Sequence, residues 1–243
     1  MYRVAKTYAQ VCGQFTALNS FPMADGSSFL DGWGEEGEPR TCRFHSPLAT
    51  EAVFDAGAVF FDLRAAMEAF ARLAHHLDNK SQLPEKFNKL VEDRLRPNRK
   101  HTLPGGVRDS LVLLHDEAGA DVRAYRDHVA HASTLVDKAG NAACDVMYRG
   151  GSVGGCRILL PDNPKDLGGK GAKKKWDADY GEQRDMLETV HQACCHITAE
   201  LKGAHDELIG HFIGNETLSE QDKKQGTARG NDRLPAQRLR QRG

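Results

Sequence analysis

The sequence predicts a mostly α protein: a helical bundle of four to five helices, with a small β-hairpin inserted before the last long helix. Three observations carry this reading. Apolar residues recur at three- and four-residue spacing through most of the chain. The longest such runs carry one or two apolar stripes, as helices contacted from more than one side do. A single glycine-rich interval, Gly150–Gly155, separates two short apolar runs of strand length.

Residues 1–45 form a weakly patterned preface. Val4, Tyr8, Val11 and Phe15 keep helical spacing, so a short helix is expected, followed by a Gly-, Asp- and Glu-rich loop from Asn19 to Pro39. The bundle proper is expected over residues 46–214. Ser46-Pro47 reads as a helix start, with Ser as cap and Pro in the first turn. Val53, Phe60, Leu63, Met67, Phe70, Ala74 and Leu77 mark one face of this helix, and Phe54, Ala58, Phe61 and Ala65 a second. A shorter helix follows Pro84, carrying Phe87, Leu90, Val91 and Leu95, and Pro97 ends it. Val107, Leu111, Leu114, Ala118, Val122, Tyr125, Val129 and Ala132 then predict one long helix over about 106–134, with Gly119 a weak point inside it.

The hairpin and a basic loop occupy an insert at about 137–176. Ala143–Arg149 and Cys156–Leu160 are its strands, and Lys165, Lys170, Lys173, Lys174 and Lys175 mark the loop. The last long helix is expected from about Asp179 to Ile213, burying Met186, Val190, Cys194, Ile197, Leu201, Leu208 and Phe212. Residues 215–243 are polar and lack apolar periodicity, so a disordered tail is expected there.

Composition narrows the function classes. Hydrophobic residues make up 40% of the 243, charged residues 28%, and the net charge is −1. A chain so balanced has no global basic field, so any nucleic-acid contact must use a local patch. The six cysteines, Cys12, Cys42, Cys144, Cys156, Cys194 and Cys195, include no C-x-x-C pair. They read as reduced, partly buried thiols of a cytoplasmic protein rather than a zinc site. His191 and His205 lack acidic or Cys partners at ligand spacing, so no metal and no cofactor is expected. The most apolar stretch, 52–74, is broken by Asp55, Asp62, Arg64, Glu68 and Arg72, and the N-terminus has no secretory pattern, so no membrane association is expected.

One cluster on the predicted 106–134 helix has the composition of a catalytic site. R-x4-H occurs at Arg40/His45, Arg96/His101, Arg123/His128 and Arg126/His131, but only Arg126 is followed by an acidic or amide residue, Asp127. The residue types suit proton transfer beside a bound anion. Histidine takes up and releases protons near neutrality. Arginine stays charged and grips phosphate oxygens in a fork. Asp127, four residues before His131, shares its helical face and is placed to orient the imidazole. Arg126 and His131, five apart, stand about 140° apart around the helix. A second subunit or a long bending side chain must therefore bring them to one phosphate.

The Arg126-Asp127-x-x-x-His131 sequence resembles the R-[N/D]-x-x-x-H motif of the HEPN superfamily, small helical bundles that include many metal-independent endoribonucleases. The resemblance implies catalytic roles for Arg126 and His131 and a polar supporting role for Asp127. It also implies a homodimer with facing motifs, and a 2′,3′-cyclic phosphate product. A toxin- or defence-type protein of this kind would have RNA as substrate and an antitoxin or regulatory protein as partner. Arg123, His128, Lys173, Lys174 and Lys175 are further candidates for substrate contact. Two alternatives stand beside this reading. The same fold serves as a non-catalytic dimeric module for a protein or nucleotide, or Arg123, Asp127 and His131 form a solvated i, i+4, i+8 charge ladder.

Overall fold

The computed structural model describes residues 1–17, 40–78, 83–97, 101, 103–131, 135–136, 139–149, 152–162 and 179–230. Helices dominate, and a small three-stranded antiparallel sheet closes one side. Helix α1 spans Tyr2–Ala17 and strand β1 Arg40–Ser46. Helix α2 follows directly at Pro47 and runs to Leu77. A short helix α3, Phe87–Leu90, continues into a π-helical turn over Val91–Leu95. Next come α4 (Gly105–Asp116), α5 (Ala118–His131), the hairpin β2 (Ala142–Arg149) and β3 (Ser152–Ile158), and α6 (Met186–Gly230).

Helix α2 is the axis of the core. Val53, Ala56, Phe60, Met67, Ala71 and Ala74 are buried along it, and α1, α5, α6 and β2 all pack against the helix. Phe60 stacks on Tyr125 of α5, ring centroids 4.9 Å apart. Tyr125 is fully buried and its hydroxyl donates to the Pro161 carbonyl at 2.6 Å. Such a bond avoids the desolvation cost that a lone buried hydroxyl would carry. Val4 and Val11 bury one face of α1, as their spacing predicts.

The expected hairpin is present, but it is two thirds of a sheet. β1 pairs with β2, and β2 with β3, so β2 is central. The sequence pattern assigns no strand to residues 40–45, which follow the expected Asn19–Pro39 loop. Instead Cys42, Phe44 and Ser46 turn inward while Thr41, Arg43 and His45 face outward, a period-2 alternation with little apolar content. Across the outer face the register sets Arg43 opposite Asp145 and Asp145 opposite Arg157. Asp145, 1% exposed, accepts from Arg43 Nε at 2.8 Å and from Arg157 Nη2 at 3.2 Å. A buried carboxylate is held here only because two guanidiniums flank it.

The predicted 106–134 helix is two helices. The chain breaks at Glu117 (φ −101°, ψ −113°), whose N–H still bonds the Leu113 carbonyl. A Cβ at Gly119 would drive into the Leu114 carbonyl oxygen and come within 3.3 Å of Met67 Sδ. The break therefore needs glycine for close approach. Apolar periodicity persists across it, with Val107, Leu111, Leu114, Val122 and Tyr125 all buried.

The last helix also differs from expectation at both ends. Residues 179–185 form a turn, with Gln183 at φ 53° and a bridge between Leu159 and Asp185. Asp185 caps α6, its Oδ1 accepting the Glu188 N–H at 2.9 Å. The helix then continues past Ile213 to Gly230, into the segment expected to be disordered; residues 231–243 of that segment lie outside the described residues. Among the described residues, no helix is long and apolar enough to cross a membrane.

Candidate functional site

Helix α5 presents Arg126 to a groove of about 740 Å³ between α2 and the Glu85–Lys86 segment that leads into α3. On the α2 side the groove is lined by Phe61, Arg64, Glu68 and Arg72, with Ala65 and Ala69. These positions fall on one helical face by their three- and four-residue spacing. The Arg126 guanidinium lies 5.2 Å from the centre of the Phe61 ring, within the range of a cation–π contact. Its Nη1 donates to Asp127 Oδ1 at 2.8 Å.

Behind Arg126 the positive charge is dense. Arg64 Nη1 and Arg123 Nη1 both donate to Asn88 Oδ1, at 2.9 and 3.1 Å. Arg64 also pairs with Glu68, whose second oxygen accepts the Phe87 N–H at 2.9 Å. Burial lowers the pKa of Arg64, Glu68 and Asp127 oppose that fall, and the Arg126 charge adds to it. Burial likewise lowers that of Arg123, and the neighbouring Arg64 charge adds to the effect. These guanidiniums repel one another across a shared neutral amide oxygen. Arg72 and Lys86 make no ion pair with any described residue. An anion in the groove would meet Arg64 and Arg126 already held in place, with Arg72 and Lys86 free to close on it against the charge of Glu68 and Glu85.

The sequence-predicted residues divide into four groups. Arg126 and Asp127 stand together at the groove. His131 is the last residue of α5, and its side chain lies outside the described residues. Its backbone position is about 7.5 Å along the axis from that of Arg126. Arg123 and His128 do not take the substrate-contact place expected of them. Arg123 is half-buried and braces the α4–α5 break, its Nη2 bonding the His115 carbonyl at 3.0 Å. Nor does it complete a charge ladder with Asp127, which receives the Arg126 bond. His128 is 2% exposed, because it continues the buried Val122–Tyr125 face at three-residue spacing. Lys173, Lys174 and Lys175 lie outside the described residues.

Two features were missed from sequence. The first is the α2 side of the groove; Arg64, Glu68 and Arg72 at i, i+4, i+8 beside Phe61 were its signal. The second is His115, at the end of α4. It is 4% exposed, with Asp116 Oδ1 2.9 Å from Nδ1 and Glu92 Oε1 3.4 Å from Nε2. Phe87 stacks on its ring at 6.2 Å. Burial lowers its pKa, and the Asp116 bond opposes that fall. The same bond from His115, with Arg96 beside it, holds the Asp116 carboxyl below its ordinary value.

No family model, curated protein or solved structure matches this chain.

Proposed function

We propose that this protein is a HEPN-like homodimeric ribonuclease, which binds RNA along the α2–α5 groove and cleaves it without a metal ion. The observation that carries the reading is the position of Arg126. The motif arginine lies over an exposed aromatic ring in a groove where Arg64, Arg72 and Lys86 also collect, on a chain whose net charge is −1. That is a local basic patch with a stacking surface, the combination that a single-stranded nucleic acid uses.

In the proposed reaction His131 takes the proton from a ribose 2′-hydroxyl. The freed oxygen attacks the adjacent phosphorus, and the P–O5′ bond breaks. Arg126 holds the phosphate as negative charge builds on it. The leaving 5′-oxygen takes a proton, and the product retains a 2′,3′-cyclic phosphate. A second subunit supports this chemistry, because Arg126 and His131 diverge around one helix. Phe54 and Ala58 are exposed on α2, two turns and one turn before the Phe61 end of the groove. Pairing two copies there would set their grooves side by side and leave both open.

A non-catalytic dimeric module is the second reading, favoured by the ion pair that already engages Arg126 with Asp127. Labelled RNA incubated with excess chelator separates the two. Under the first reading wild type cleaves, His131→Ala binds with little change but cleaves at least a hundredfold more slowly, and Arg126→Ala loses both about tenfold or more in affinity and the cleavage. Equal behaviour of wild type and His131→Ala overturns the catalytic reading. Unchanged RNA affinity in Arg126→Ala overturns the groove.

A further inference from the structure

At the seam between α1 and the sheet, far along the chain from the motif, two thiols meet. Cys12 Sγ on α1 lies 3.4 Å from the carbonyl oxygen of Cys156 on β3, which brings the two cysteines together across the seam. Both are partly exposed, whereas Cys144 on the same sheet face is fully buried. Among the described residues, no group of three or more His, Cys, Asp or Glu side chains is placed to hold a metal ion, so the pair is not part of a metal site. The rest of the seam is already fixed. Thr7 Oγ1 and Arg3 Nε bond the two carboxylate oxygens of Asp55, at 3.0 and 2.8 Å. Tyr8 donates to Asp185 at 2.6 Å. Helix α1 is therefore anchored over the turns that lead up to Cys12.

We propose that Cys12 and Cys156 form a hydroperoxide-sensitive pair that closes to a disulfide and staples α1 to β3. Within the pair the roles differ. The neighbouring Cys156 side chain favours the Cys12 thiolate, against burial and the Asp185 charge. The Cys12 side chain, with burial, keeps the proton on Cys156. A thiolate is the attacking species in such chemistry. Cys12 sulfur attacks one oxygen of the hydroperoxide, and the O–O bond breaks. The products are a sulfenic acid on Cys12 and an alkoxide or hydroxide, which takes up a proton. Cys156 sulfur then attacks the Cys12 sulfur, the S–O bond breaks, and water leaves with the Cys156 proton. Two electrons have passed from the thiols to the peroxide, and a dithiol reductant reverses the step.

The other thiols serve as internal controls. Burial pushes the Cys144 thiol up to about 12, so it is inert at neutral pH. Cys195 is exposed, 3.7 Å from His191 Nε2. Its chain neighbour Cys194 lies on the same helix and is raised by burial. An exposed thiol that merely reacts with peroxide would therefore be Cys195.

The test treats the native full-length chain with hydrogen peroxide, alkylates free thiols under denaturing conditions, and maps the peptides by mass spectrometry. The expected result is a Cys12–Cys156 linked peptide at least tenfold above any other linkage, lost on reduction. Cys156→Ser should leave Cys12 as a sulfenic acid trapped by dimedone, and Cys12→Ser should abolish both products. Oxidation should raise the thermal midpoint of wild type and leave that of either serine variant unmoved. Cys12 recovered as free thiol while Cys195 is oxidised overturns the proposal. So does a predominant Cys12–Cys42 linkage.

Discussion

His115 sits where α4 gives way to α5, with a carboxylate on each side of its ring and almost no contact with water. Burial lowers its pKa below the ordinary 6.5, so the folded protein prefers the neutral ring. Above pH 6.5 His115 is neutral both folded and unfolded, and its full contribution is present. As pH falls below 6.5 the unfolded chain takes the proton first, and stability drops until the pH passes the lowered folded value. The slope from one such group is at most about 1.4 kcal/mol per pH unit. Urea unfolding at pH 7.0 and 5.5 should show wild type losing stability that His115→Gln retains. An identical loss in both proteins would place the effect elsewhere. The same residue shows why the motif region was only partly legible. Arg126 and Asp127 could be read locally, as neighbours in a short pattern. His115 depends on Glu92 and Phe87, about 25 residues away in sequence, and its local context (Leu-Leu-His-Asp) reads as the interior of one continuous helix.

Among the elements, the α4–α5 break has the clearest stability consequence. Gly119→Ala places a methyl group against a backbone carbonyl that cannot rotate away. We expect a loss of about 2 kcal/mol, the usual range for overpacking against a fixed neighbour, although alanine normally stabilises a helix over glycine. A urea midpoint at or above that of wild type would mean the break is not set by this approach. The break was hidden from sequence reading because the apolar stripe keeps its phase across Glu117. Periodicity reports which side is buried, not whether the backbone is continuous. β1 was hidden for the opposite reason. Arg-Thr-Cys-Arg-Phe-His-Ser alternates, but Phe44 alone is strongly apolar, and the partner that makes it a strand is distant. The α2 helix, whose pattern and start are both local, was read correctly from Pro47 to Leu77. Its second apolar stripe was recognised, but its surroundings were not: packing covers the Phe60 side and leaves Phe54 (50%) and Phe61 (37%) open.

At the scale of the whole molecule that open stripe becomes a question of assembly. If two copies meet at its Phe54 end, a carboxylate there leaves a desolvated charge at the centre of the contact. Phe54→Glu, which stands outside the groove, should weaken self-association about a hundredfold, read by analytical ultracentrifugation, with the helical circular dichroism unchanged. A wild type that sediments as a monomer at all concentrations would remove the dimer from the reading. The sheet imposes a constraint of another kind. β1 belongs beside β2, yet the two lie about a hundred residues apart, with α2 through α5 between them. During synthesis on the ribosome those helices can gather around α2 while β1 has nothing to pair with. A nascent chain halted before the hairpin emerges carries a strand with both edges open. That is the form most exposed to chaperone capture or aggregation.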